Sequence, residues 1–165
     1  MSALRRGGYF FGILPDSKEI RRRLLDPQLC PDGRVLENQF YRLEMDQPVT
    51  TRFESPFGIR YTFTLKDAID ACPEYIVPAG QLRAMAAQYG LEFILEAPLP
   101  EFFTTFSQVP EYEQLMHRMN IVEGEALAMS PEELEVAGKE RQKQDVLEDF
   151  NFILGLYTAF AFRKL

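Results

Sequence analysis

The sequence predicts an α/β fold, and three observations carry that reading. The apolar run Tyr9 to Leu14 follows a pair of glycines and reads as a strand after a tight turn. "NQFYRLEM" and "GIRYTFTL" nearly alternate apolar and polar residues, the mark of half-buried strands. Between Val77 and Tyr89 the apolar residues recur at helical spacing, Gly90 stops the pattern, and "LEFIL" follows as a strand.

The bounds agree with one ordinary domain. The chain has 165 residues, of which 46% are hydrophobic, 13% aromatic and 26% charged, a composition that folds around a core. Eighteen Lys and Arg stand against 25 Asp and Glu, a formal net charge of −7. That balance excludes a broad basic surface, so any contact with nucleic acid is local. Two cysteines, Cys30 and Cys72, are too few for a disulfide scaffold and lack clustered histidines for structural zinc. They read as reduced thiols in a cytosolic or nuclear setting. No cleavable leader pattern and no apolar run of spanning length is present, so neither secretion nor membrane insertion is expected.

The Tyr9 to Leu14 run reads as a strand buried on both faces, and only eight residues precede it. Whatever covers it must come from later in the chain or from sequence beyond it. In "DSKEIRRRLLD", Asp16 or Ser17 caps a short amphipathic helix whose inner face is Ile20, Leu24 and Leu25. Arg21, Arg22 and Arg23 read as its solvated face rather than a phosphate site. "LCPDGR" is a turn, and the two alternating strands form a hairpin with a long connection holding Pro48 and Pro56. Pro98 to Ala137 reads as mostly helical, with a helix start at "SPEELE" from Ser130. The tail passes from acidic helix-like sequence into a strand, Leu156 to Phe162.

Catalytic motifs are scarce. There is no phosphate-binding glycine loop, no paired-histidine metal helix and no nucleophile elbow, and His117 sits on a helix face with no nucleophile to serve. In "CPEYIVPAGQL", Glu74 reads on residues alone as an acid at a helix N-terminus, favoured there by the helix dipole.

The order of segments says more. "GGYFFGILPDS", "FGIRYTFTL", "CPEYIVPAGQLRAMAAQYGLEFI" and "LYTAFAFRK" resemble four successive blocks of the eukaryotic mRNA cap guanine-N7 methyltransferases, in order from end to end. The resemblance covers the whole chain but only the C-terminal half of that catalytic domain. It implies the second half of a class I S-adenosylmethionine-dependent methyltransferase fold: a doubly wound sheet with an antiparallel last strand and an inserted hairpin. Tyr9 to Leu14 would be the fifth strand, and "LEFIL" with "LYTAFAF" the closing pair. The S-adenosylmethionine site would lie in the missing N-terminal half. The implied partners are 5′-capped RNA, that missing half and a capping-enzyme subunit, in the nucleus, with no membrane.

By the same resemblance Glu74, Tyr157, Pro15 and Tyr61 would bind the cap. Guanine presents N1–H and N2–H side by side, and one carboxylate accepts both, a pairing adenine does not offer. Tyr157 would pack on and hydrogen-bond the nucleoside, Pro15 would give the base a rigid apolar contact, and Tyr61 would reach toward the ribose and triphosphate. Ile13 and Leu14 stand where many members carry small polar residues. Two other classes stay open: a non-catalytic cap-binding or regulatory subunit that completes a methyltransferase fold, and an unrelated interaction domain.

Overall fold

The computed structural model describes residues 4–49, 57–119 and 152–165. Strand β1 (Tyr9–Pro15) leads into helix α1 (Ser17–Leu24), then β2 (Val35–Glu37), β3 (Tyr41–Met45), β4 (Ile59–Leu65) and β5 (Ile69–Ile76). Helix α2 (Ala79–Gln88), β6 (Leu91–Pro98), α3 (Leu99–Phe106), α4 (Pro110–Arg118) and β7 (Tyr157–Lys164) follow. Two sheets result, one ordered β1-β7-β6 and the other β2-β3-β4-β5, antiparallel throughout. The helix start expected at Ser130 lies outside the described residues. Among those described, no helix is long and apolar enough to cross a membrane.

In the three-stranded sheet the last strand of the chain lies in the middle. β7 pairs with β6 as expected for the closing pair, and with β1 on its other side. Phe160 and Phe162 pack with Ala86 of α2, and Leu82 and Leu91 pack against them. Gly12 stands opposite Phe160, where an added Cβ would come within 3.2 Å of the ring, so a small residue in β1 makes room for a large one in β7. Gly90, at φ 65°, ends α2 in the left-handed conformation that glycine adopts without strain and turns the chain into β6. Of the helical face read from spacing, Leu82 and Ala86 pack inward while Met85 and Tyr89 are exposed.

One expectation fails here. β1 is not buried on both faces: Phe11 is 74% and Ile13 59% exposed, and among the described residues β1 has a neighbour on only one edge. An unbroken apolar run signals that a strand's surface needs covering but does not say that this chain covers it. On that face Phe11 and Ile13 form one wall, Leu95 and Phe102 the other, and Ala159 and Ala161 the floor of an apolar cavity of about 550 Å³.

The four-stranded sheet is a meander larger than the expected hairpin. β3 and β4 pair as read, and β2 and β5 extend them on either side. β5 escaped the sequence reading because Pro73 interrupts it, yet β5 is an edge strand, where a missing N–H is tolerated. The inward faces bring Leu36, Tyr41, Leu43, Met45, Tyr61 and Phe63 against Ile20 and Leu24 of α1. Ile153 and Leu156, just ahead of β7, belong to this same core. The chain segment entering β7 is therefore packed on one sheet while the strand itself completes the other.

α1 is fixed at both ends. The Asp16 carboxylate accepts from the backbone N–H groups of Lys18 and Glu19, the cap read from sequence. Of its three arginines, Arg23 departs from the solvated face read from sequence, while Arg22 is exposed but paired. Glu19 accepts from Arg22 at 2.7 and 2.8 Å and from Arg23 at 2.7 Å. Arg23 is buried, donates to the Phe152 carbonyl at 2.6 Å and lies 3.7 Å from the centre of the Phe152 ring. Cys30 and Cys72 are both free thiols, the first buried and the second exposed.

The bonds from Arg22 and then Arg23 outweigh burial and hold the Glu19 carboxyl at about 2, against an ordinary value of 4.5. A depressed carboxyl stabilises the fold above its unfolded pKa, and that contribution fades as pH falls through the folded one. Glu19→Gln should cost about 2 kcal/mol of unfolding free energy at neutral pH, allowing for solvent screening. In urea melts the gap between the two proteins should narrow between about pH 4.5 and pH 2.

Candidate functional site

The four residues singled out by sequence come from β1, β4, β5 and β7 and form two cross-strand pairs. Tyr61 of β4 stands opposite Glu74 of β5, and Pro15 of β1 stands opposite Tyr157 of β7. Glu74 is thus a strand residue, not the helix N-terminal acid that its local sequence suggests; α2 starts five residues later, at Ala79.

Tyr61 is held in the core at 1% exposure, and its hydroxyl donates to Oε2 of Glu74. Burial first, and then this bond, push the phenol far above the ordinary tyrosine range, so it stays a neutral donor. Glu74 itself is half-buried. A carboxylate offers about four lone-pair positions, so one bond from Tyr61 leaves acceptor capacity on both oxygens.

Tyr157 is also half-buried and packs against the core of the four-stranded sheet. Burial raises its pKa, and the negative charge of Glu74 raises it further, which places the phenol within electrostatic reach of the carboxylate. Glu74, Tyr61 and Tyr157 are in this sense one group, and Pro15 joins it through its pairing with Tyr157.

Backbone contacts fix this junction. The Asp16 N–H donates to the Leu156 carbonyl at 2.7 Å, tying the end of β1 to the start of β7. The Ala79 N–H donates to the buried Ser17 hydroxyl oxygen at 3.3 Å, bringing the first turns of α1 and α2 together. Local sequence marks Ser17 as a possible cap and gives no sign of a bond to a residue 62 positions away. Pro15 and Tyr157 lie at the carboxyl end of β1 and the start of β7.

The chemistry available is acceptor-rich and aromatic. One carboxylate, two neutral phenols and a proline ring suit a flat heterocycle that presents hydrogen-bond donors on its edge. Among the described residues, no three His, Cys, Asp or Glu side chains gather as a metal site requires. The apolar cavity on the other sheet does not fit S-adenosylmethionine either: its lining has no charged side chain to meet an amino acid or a sulfonium. His117, to which the sequence gives no chemistry, lies in α4.

Residues 1–165 match the family described as the mRNA (guanine-N(7))-methyltransferase domain. The chain is 35% identical to the mRNA cap guanine-N(7) methyltransferase of Candida glabrata, over 99% of its own length and 37% of that protein. It is 34% identical to the Saccharomyces cerevisiae protein of the same name, over 99% and 35% of the two lengths. Against mRNA cap guanine-N(7) methyltransferase 1 of Oryza sativa subsp. japonica the identity is 33%, over 98% and 39%. The chain spans between 35% and 39% of the length of these three relatives. It belongs to the mRNA (guanine-N(7))-methyltransferase domain family.

Proposed function

We propose that the chain carries the cap-guanine-binding half of an mRNA cap guanine-N7 methyltransferase, which moves a methyl group from S-adenosylmethionine to N7 of the 5′ cap guanine. The observation that supports this best is the Glu74 carboxylate, half-buried in a sheet and tied by Tyr61. N1–H and N2–H of guanine would each take one of its oxygens. Tyr157 would pack on the nucleoside and use its hydroxyl, and Pro15 would give the base an apolar contact.

This placement leaves N7 to the methyl donor. Its lone pair is available without loss of a proton, so the acceptor needs no general base. The chain's residues act by holding the base in one orientation, which lowers the entropic part of the barrier. We place the donor's site in the part of the domain that the longer relatives carry beyond this match.

The edge of β1 that is unpaired among the described residues, and the exposed Phe11 and Ile13, support a doubly wound sheet completed by that further part, with β1 as its fifth strand. They equally suit the second reading, a non-catalytic cap-binding or regulatory subunit that completes a methyltransferase fold in another chain. A capping-enzyme subunit is a further partner on either reading, and the setting is nuclear.

Titration calorimetry separates the parts of this proposal. The 165-residue chain should show no micromolar binding of S-adenosylmethionine, while co-production with the remaining portion of a relative's domain should confer it. One-to-one donor binding by the chain alone would contradict the placement of the donor site.

Glu74→Gln should reduce methylation of capped RNA at least tenfold in the completed protein, because a lost charge-assisted bond costs about 1.5 to 3 kcal/mol. The amide also turns a donor toward the guanine's own donors. Donor binding should hardly change. Glu92→Gln, which breaks only the exposed pair with Arg163, serves as the control and should methylate normally.

A further inference from the structure

We infer that Tyr61 is a positioning residue that sets the plane of the Glu74 carboxylate and thereby the preference for guanine over purines with fewer edge donors. This rests on the guanine-binding reading of Glu74 and adds to it a different role for Tyr61. A phenol 1% exposed, with its hydroxyl committed to Glu74, does not reach a ribose or a triphosphate without leaving the core. It acts on the base through the carboxylate.

The terminal torsion of a glutamate is broad, so an untethered carboxylate samples many planes. Guanine needs both oxygens in one plane to receive N1–H and N2–H together, whereas hypoxanthine, which lacks the N2 amino group, needs only one oxygen. Opposite Glu74 in the β4–β5 register and packed among core residues, Tyr61 has little freedom of its own. Its bond to Oε2 transfers that rigidity to the carboxylate before the base arrives. Ordering a side chain at the moment of binding costs conformational entropy, and a fixed partner removes much of that cost.

The phenol also stays a donor where the site works. With burial and Glu74 both raising its pKa, it does not ionise near neutral pH, and the carboxylate keeps its partner. Tyr157, the other phenol near Glu74, is half-buried at the strand start and remains available to the ligand.

The test compares caps ending in guanosine and inosine as substrates for the completed protein. Tyr61→Phe keeps the ring and removes the bond. It should raise KM for the guanosine cap about fivefold, leave the inosine cap nearly unchanged, and so shrink the preference between them by a similar factor. Equal losses on both caps would mean a structural role or a sugar–phosphate contact, and no loss on either would mean no role; both overturn the inference.

Glu74→Gln measured alongside separates the two claims. If it too leaves the preference intact, the guanine reading of Glu74 fails; if it abolishes the preference while Tyr61→Phe does not, only the role of Tyr61 fails. Wild-type protein labelled at tyrosine Cζ gives the same answer without relying on a substituted core. The Tyr61 resonance should shift more with a guanosine cap dinucleotide than with its inosine counterpart, and equal shifts would overturn the inference.

Discussion

The hydrogen bond from the Asp16 N–H to the Leu156 carbonyl holds together the two places on which the site depends. On one side of it β1 ends at Pro15 and α1 begins; on the other the chain leaves the core of the four-stranded sheet and enters β7 at Tyr157. Ile20, Leu24, Ile153 and Leu156 lock both arms of this junction into one core, and Arg23 adds its bond to the Phe152 carbonyl. The end of β1 and the start of β7, where Pro15 stands opposite Tyr157, are thereby tied to the core of the four-stranded sheet that carries Tyr61 and Glu74. A site assembled from four strands gains its precision from this shared anchor rather than from any one loop.

The electrostatics of the chain suit a particular division of labour. A net charge of −7 gives no general attraction to a phosphate backbone. Around the four-stranded sheet Arg34, Arg42 and Arg60 are paired with Glu44, Glu37 and Asp46. On the proposed reading, recognition falls to a carboxylate and aromatic rings that address a base edge and face. A negative group is a sound choice for that task because it rejects phosphate and any base that presents acceptors, while favouring adjacent donors.

Sequence periodicity reached most of the elements because their packing is local in pattern. The alternation in β3 and β4, the Asp16 cap and the Gly90 stop each have a cause within a few residues, and each appears where expected. β2 was too short to signal itself at three residues, and β5 was hidden by Pro73. That omission made Glu74 look like a helix-start acid, since only its pairing with Tyr61 across β4 and β5 reveals a strand. The apolar β1 run correctly announced a surface in need of cover, but its exposure depends on neighbours that a one-dimensional pattern does not supply. The residues of the site were found by resemblance to a family; their grouping into two cross-strand pairs required the fold.

The central claim is that Glu74 receives the pairing edge of guanine. Proton NMR on a cap dinucleotide carrying nitrogen-15 in its guanine tests it directly, since N1–H exchanges with water unless a partner shields it. On binding, the N1–H and N2–H signals should move downfield and exchange slowly, with the N1–H close to no ring but that of a neighbouring tyrosine. Guanine imino signals that keep exchanging at the free rate, in a dinucleotide shown to be bound, would contradict the account.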